Sequence, residues 1–198
     1  MNLRLFCAGV FGIVALVSVS VSAQWPLYPA TGTPRTSSGR VRLDAPTPRT
    51  PDGKPDLSGL WQTIRTGSGQ VIVYEANGGT RQIFTDGRSL PSNDPQPWWY
   101  GYSIGKWEGD TLVVETSGFR DDVWLDVNGA PLTNVAKMTE RFRRLDYGSL
   151  EIEVTVDDPK AYTRPWTAAK IRQRLMPDDE LIEFVCAENE RSTQRFAK

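Results

Sequence analysis

From Asp56 onward, apolar and polar positions alternate with a period of two, in short runs broken by Gly, Asn, Asp and Pro. That period sends successive side chains to opposite faces of a sheet, so the pattern predicts β-strands joined by tight turns. The stretch from Tyr100 to Phe119 reads as a hairpin around Gly109-Asp110. A two-residue loop opening with Gly suits a type II′ turn, whose first position needs φ > 0. The register then sets Trp107 opposite Leu112, Gly105 opposite Val114 and Ser103 opposite Thr116. On the first strand one face holds only Gly101, Ser103 and Gly105, with Trp107 closing one end. Glycine weakens a strand interior unless something must approach the backbone, whether a ligand or a neighbouring side chain.

A second register follows from Met138 to Leu145 and Ser149 to Val156 around Asp146-Tyr147-Gly148. A three-residue loop with Gly148 in the left-handed conformation opposes Phe142 to Ile152 and Met138 to Val156 on one face. On the other face it opposes Arg143 to Glu151, Arg141 to Glu153 and Thr139 to Thr155. A two-residue loop would oppose Phe142 to Glu153, so the longer loop is preferred. The consequence is that Glu140 falls on the apolar face, opposite Val154.

Two more hairpins are predicted. Val71 to Ala76 and Thr80 to Thr85 flank Asn77-Gly78, and Trp166 to Leu175 and Leu181 to Cys186 flank Pro177-Asp-Asp-Glu180, with Cys186 pointing inward. With a leading strand after Asp56-Leu-Ser-Gly-Leu-Trp61, about nine strands result. The expected fold is all-β, an antiparallel up-and-down meander closed or partly closed into a lipocalin-like barrel. An open curled sheet capped by Pro-rich loops is the alternative, since long bare edges invite aggregation.

Composition adds boundaries. Arg4, the apolar run from Leu5 to Val21 and Val21-Ser22-Ala23 resemble a secretory signal peptide over residues 1–23, implying a periplasmic or secreted protein with no membrane span after cleavage. An uncleaved anchor is the other reading of that run. Residues 25–55 hold seven of the 14 prolines and no apolar periodicity, so 24–55 reads as an extended basic tether. The β-domain is expected over 56–190 and a tail over 191–198. After cleavage only Cys186 remains, too few for an internal disulfide. The chain has no histidine, which excludes a Ser-His-Asp triad and a His-based zinc site. Residues 24–55 carry five basic and two acidic side chains, and residues 56–198 carry 17 and 22; with Arg4 the total is −1. A mildly acidic body with interleaved signs has no nucleic-acid footprint.

Glu140 is the sharpest candidate for chemistry, because an inward carboxylate demands a partner or a proton. It could act as a general acid/base, or be held by an inward Arg144 near a barrel end. Arg120-Asp121-Asp122 to Asp126-Val-Asn128-Gly129 gathers acids in a loop, but the spacing holds only half of a calcium-loop pattern, and turn formation explains it more simply. Seven Trp and six Tyr supply flat, rigid surface suited to sugar rings or apolar ligands, or else plug the core ends.

The motifs Pro51-Asp-Gly-Lys-Pro-Asp-Leu-Ser-Gly-Leu-Trp61, Trp99-Tyr-Gly-Tyr-Ser-Ile-Gly-Lys-Trp-Glu-Gly-Asp-Thr-Leu-Val-Val114, Trp124-Leu-Asp126, Thr139-Glu-Arg-Phe-Arg-Arg144 and Asp158-Pro-Lys-Ala-Tyr-Thr-Arg-Pro-Trp166 resemble those of a family of exported bacterial β-rich proteins. The resemblance covers most of residues 51–190 and brings no activity with it. Such proteins often carry histidines in a G-x-P-H pattern, where this chain has Gly129-Ala-Pro-Leu132. Gly59-Leu60-Trp61 is also similar to the G-x-W start of lipocalin-like barrels. The expectation is a domain without cofactor or metal that binds a small apolar or aromatic ligand near Gly101, Ser103, Gly105, Trp107, Trp124, Glu140 and Trp166. A structural or interaction module, and a carboxylate enzyme using Glu140, are the alternatives.

Overall fold

The computed structural model describes residues 30–64, 81–91, 97–126 and 128–179. Ten strands are present among them: β1 (Trp61–Thr63), β2 (Ile83–Phe84), β3 (Tyr102–Glu108), β4 (Thr111–Ser117), β5 (Val123–Trp124), β6 (Pro131–Leu132), β7 (Lys137–Arg144), β8 (Ser149–Asp157), β9 (Trp166–Thr167) and β10 (Ile171–Leu175). The described residues contain no helix, and so none long and apolar enough to cross a membrane.

Both central registers are the expected ones. In β3–β4, Trp107 faces Leu112, Gly105 faces Val114 and Ser103 faces Thr116, with Gly109 at φ +58° making the turn. In β7–β8, Phe142 faces Ile152, Met138 faces Val156 and Glu140 faces Val154. β4 then pairs with β7, setting Leu112 beside Phe142 and Val114 beside Glu140, so one apolar face runs across four strands. The opposite face carries Arg141, Arg143, Glu151 and Glu153. Its ion pairs form outside the hairpin: Arg141 donates to Glu108 of β3 at 2.9 Å and Lys170, just before β10, to Glu151 at 2.7 Å.

Elsewhere the sheet departs from a meander. β10 pairs with β8, and β1 lies outside β10, with Trp61 opposite Leu175. The expected strand from Trp166 to Leu175 is split. β9 pairs with one end of β8 and β10 with the other, because the chain leaves the ladder between Thr167 and Ile171. β2 runs parallel to β3, Ile83 beside Ser103, which corrects the wholly antiparallel expectation. The Asn77-Gly78 turn and the strands at 71–76 and 181–186 lie outside the described residues, as do the leader and Cys186. The result is an eight-stranded, mostly antiparallel sheet of order β1-β10-β8-β7-β4-β3-β2 with β9 beside β8. Among the described residues β1 and β2 are its two edges and the sheet does not close.

The small β5–β6 hairpin covers one end of the apolar face, where Phe119, Leu132, Ala136 and Val156 form a buried cluster backed by Trp166 and Tyr162. Asp158, 1 % exposed, pins this cover to β8: it accepts from the Thr133 amide at 2.7 Å and hydroxyl at 2.8 Å.

Residues 30–55 are not an extended tether. Thr33-Pro-Arg-Thr36 and Thr47-Pro-Arg-Thr50 are a tandem repeat, each followed by a left-handed glycine, Gly39 at φ +82° and Gly53 at +79°. Both copies fold alike. The Gly39 amide donates to Thr36 O and the Gly53 amide to Thr50 O, each at 2.9 Å, while Arg35 and Arg49 reach back to the carbonyls of Gly39 and Gly53. The first arginine then pairs with Asp178 at 2.5 Å, beyond β10, and the second with Asp110 at 2.8 Å, in the β3–β4 turn. Between the two clips, the Gly148 and Tyr147 amides donate to Leu43 O and Ala45 O, both at 2.8 Å, strapping the segment over the β7–β8 turn. This strap explains Gly148, which is not left-handed as expected. A Cβ there would lie 2.6 Å from Leu43 Cβ, so glycine serves close approach rather than turn geometry.

Candidate ligand-binding site

The bare face of β3 is filled at its centre by side chains from β2, from the residue after it and from β4. A Cβ at Gly105 would meet Ile83 Cγ2 at 3.0 Å, Thr85 Cγ2 at 3.1 Å and Leu112 Cδ1 at 3.2 Å. Two residues before Ile83 on the same face, Arg81 turns under the sheet toward Glu140. Its Nη1 donates to Oε1 at 3.0 Å and its Nη2 to Oε2, a bidentate pair with side chains only 11 % and 9 % exposed. Arg81 Nε donates to Ser103 Oγ at 3.0 Å, Nη2 to Thr116 Oγ1 at 2.6 Å, and the two hydroxyls meet at 2.9 Å. Ser103 and Thr116 are buried, so this network satisfies polar groups that would otherwise destabilise the face.

Arg144, the expected partner of Glu140, turns to the other end of the sheet. It donates to the carbonyls of Asp56, Asp146 and Tyr147 and lies over the Trp61 ring at 4.9 Å. Burial pushes its guanidinium below the ordinary arginine value. Arg144 is close to Glu140 in sequence, whereas Arg81 arrives by a parallel pairing with no local signature.

Beyond this network, at the β2–β3 edge, the chain forms a cavity of about 360 Å³. Its walls are Phe84, Trp98, Trp99, Tyr100 and Tyr102, and its floor includes Arg81, Gly101 and Ser103. Phe84 and Tyr102 stack at 5.1 Å, 25° from parallel, on adjacent parallel strands. Trp98 is fixed through its backbone, its amide donating to Gly118 O at 2.9 Å and its carbonyl accepting from the Arg120 amide at 3.1 Å. Trp98 and Trp99 nonetheless present 53 % and 60 % of their surface to solvent.

Guanidinium groups back two of these rings. Arg88 lies over Phe84 at 3.9 Å and donates to the Tyr102 hydroxyl at 3.1 Å, while Arg120 lies over Trp99 at 4.4 Å. Each is paired on its outer side, Arg88 with Asp86 and Arg120 with Asp122. The arginine hydrogen bonds hold Asp86 and Asp122 below the usual carboxylate range, and Asp86 raises Arg88 further above its own.

Of the seven sequence candidates, Gly101 and Ser103 line this cavity. Gly105 and Glu140 lie behind it under side chains. Trp107 is half-buried on the apolar face, Trp124 stands 69 % exposed on β5, and Trp166 packs on the core cluster at a right-angled contact with Tyr162. The acidic loop is engaged in its own geometry: Asp126 accepts from the amides of Asn128 and Ala130, and Asp121 from the Asn134 amide. Among the described residues no group of His, Cys, Asp and Glu is placed to hold a metal ion. A second cavity of about 300 Å³ lies between the strap and β10, lined by Val41, Leu43, Leu175, Met176 and Asp178 among others, without aromatic walls. Against known proteins, the chain matches no family model, no curated protein and no solved structure.

The charge pattern carries a pH prediction. Partners lower the folded-state pKa of Asp56, Asp86, Asp110, Asp122, Asp126 and Glu151. Groups lowered in this way stabilise the fold above their unfolded values, about 3.9–4.3, and lose that contribution as pH falls through the lower folded values. With no histidine to titrate, the urea midpoint is expected to be flat from about pH 5.5 to 7.5 and to fall below about pH 4. Asp86, Asp110, Asp122 and Glu151 owe the shift to arginine or lysine partners near the surface, so added salt should shrink their part of the acid-side slope.

Proposed function

We propose that this chain is a binding domain whose ligand is a small molecule with a flat apolar face, seated against Phe84, Trp98, Trp99 and Tyr102. The observation that carries this reading is the aromatic cavity itself. Its volume of about 360 Å³ lies within the range of small-molecule pockets, and five of its lining residues are aromatic. Aromatic rings provide large contact area with little conformational entropy to lose. The buried Arg81–Glu140 pair behind them fixes the floor. The reading needs no closed barrel, because the cavity sits at the β2–β3 edge. Residues 1–23, read as an export signal, would place the site in the periplasm or outside the cell, and the motif Trp99 to Ser103, part of the family resemblance, supplies one wall.

Saturation-transfer NMR with two flat aromatic probes, 2-naphthol and indole, and with methyl β-glucoside, whose ring has an apolar C–H face, tests the reading. At least one probe should bind, and Trp99→Ala should weaken it about tenfold, the effect of losing roughly 1.4 kcal/mol of ring contact. Trp124→Ala, an exposed tryptophan outside the cavity, should leave binding unchanged. Binding that ignores Trp99→Ala would defeat the proposal.

A further inference from the structure

We infer that the ligand of this aromatic site is an uncharged carbohydrate, held by stacking a sugar-ring face on Trp98 or Trp99. The inference rests on the binding reading above and narrows it by three observations.

The first is charge balance. Arg81 lines the cavity and Arg88 and Arg120 lie over two of its rings, and each has its own carboxylate: Arg81 with Glu140, Arg88 with Asp86 and Arg120 with Asp122. A site matched in this way offers no net charge to select an anion. A cationic ligand is disfavoured at Phe84 and Trp99, because Arg88 and Arg120 already lie over those rings. Recognition is left to ring stacking and to neutral hydrogen bonds.

The second is openness. An apolar ligand gains affinity in proportion to the surface it removes from water, and pockets for such ligands bury most of the molecule. Here the two indole walls remain more than half exposed, at 53 % and 60 %. A ligand on them keeps one side in solvent. A sugar ring suits that arrangement, since its C–H face is apolar and its hydroxyl rim stays hydrated.

The third is the polar rim. A hydroxyl both donates and accepts, and so does a primary amide. Gln82 supplies that amide at the cavity lining. The Asp86–Arg88 fork, bonded to the Tyr102 hydroxyl, sets an acceptor next to a donor near the same ring. An amide in the cavity lining and a fork bonded to one of its wall residues, Tyr102, offer neutral and paired groups to the hydroxyls of a ring stacked on an indole.

The experiment is a titration of the full chain with three neutral oligosaccharides, cellohexaose, chitohexaose and maltohexaose, followed by tryptophan fluorescence and calorimetry, with 2-naphthol as an apolar comparison. At least one saccharide is expected to bind, to be weakened about tenfold or more by Trp99→Ala, and to be unaffected by Trp124→Ala. Trp98→Ala serves as the second variant, and thermal melting checks that each variant is folded. If 2-naphthol binds at Trp99 and no saccharide does, the carbohydrate assignment is overturned while the binding reading stands. If neither class binds, both are overturned. Saccharide binding that survives both tryptophan variants also overturns the assignment.

Discussion

Glu140→Ala should destabilise the fold by about 3–5 kcal/mol, because it leaves the Arg81 guanidinium buried without its counter-charge. Arg81→Ala should cost a similar amount for the mirrored reason. The pair is nearly dry, at 11 % and 9 % side-chain exposure, so solvent cannot replace the missing partner. The double variant Arg81→Met/Glu140→Leu should recover most of the loss, since exchanging a whole buried pair for apolar side chains is often neutral or better. Ser103 and Thr116 would retain each other at 2.9 Å. Urea unfolding of the four proteins measures the two losses and the recovery. If Glu140→Ala costs no more than about 1 kcal/mol, the range for an exposed pair such as Arg120–Asp122, the network is not the anchor described here.

Gly101→Ala is the second large effect. Gly101 sits at φ +67°, a conformation costing an L-residue about 1–2 kcal/mol. A Cβ there would also lie 2.6 Å from Thr116 Cγ2, 2.9 Å from Phe119 Cε1 and 2.9 Å from the Ser117 carbonyl oxygen. The last is backbone and cannot rotate away, so overpacking should add about 1–3 kcal/mol. Gly105→Ala is the informative comparison. It has no positive φ, and its nearest neighbours, from 3.0 Å outward, are side-chain methyl groups, so it should cost less. Equal losses in thermal unfolding would mean that backbone strain at Gly101 contributes nothing. Because Gly101 lines the aromatic cavity, its alanine variant should also weaken ligand binding where Gly105→Ala does not.

The two central hairpins were legible from residue pattern alone because each has one wet and one dry face. A slip of one residue in β7–β8 would have set Phe142 against a glutamate, so side-chain chemistry selected the register. The same reasoning located Glu140 on the apolar face, where it is 7 % exposed. Its partner was not legible. Arg81 reaches it through a parallel strand 59 residues away in sequence, and nothing near Glu140 announces that pairing. The place of β1 beside β10 was hidden for the same reason, being a contact between distant parts of the chain.

The strap was misread for a different reason. Proline-rich segments lack apolar periodicity, yet residues 33–36 and 47–50 repeat Thr-Pro-Arg-Thr, and that repeat was the available sign of two similar folded clips. The cavity walls were half legible. The aromatic cluster at 98–102 was visible as composition, but plugging a core and lining an open cavity use the same residues. Only exposure separates them: Trp98 and Trp99 face solvent, whereas Trp166 packs against Tyr162 and the cluster around Val156.

The most direct test of the ligand site is fluorine NMR of the protein labelled with 5-fluorotryptophan, its seven resonances assigned by single substitution. It would be titrated first with 2-naphthol and then with cellohexaose. Trp98 and Trp99 are expected to shift together, while Trp107, Trp124 and Trp166 stay in place. Shifts confined to those other tryptophans, or no shift with either probe, would contradict the assignment of the site.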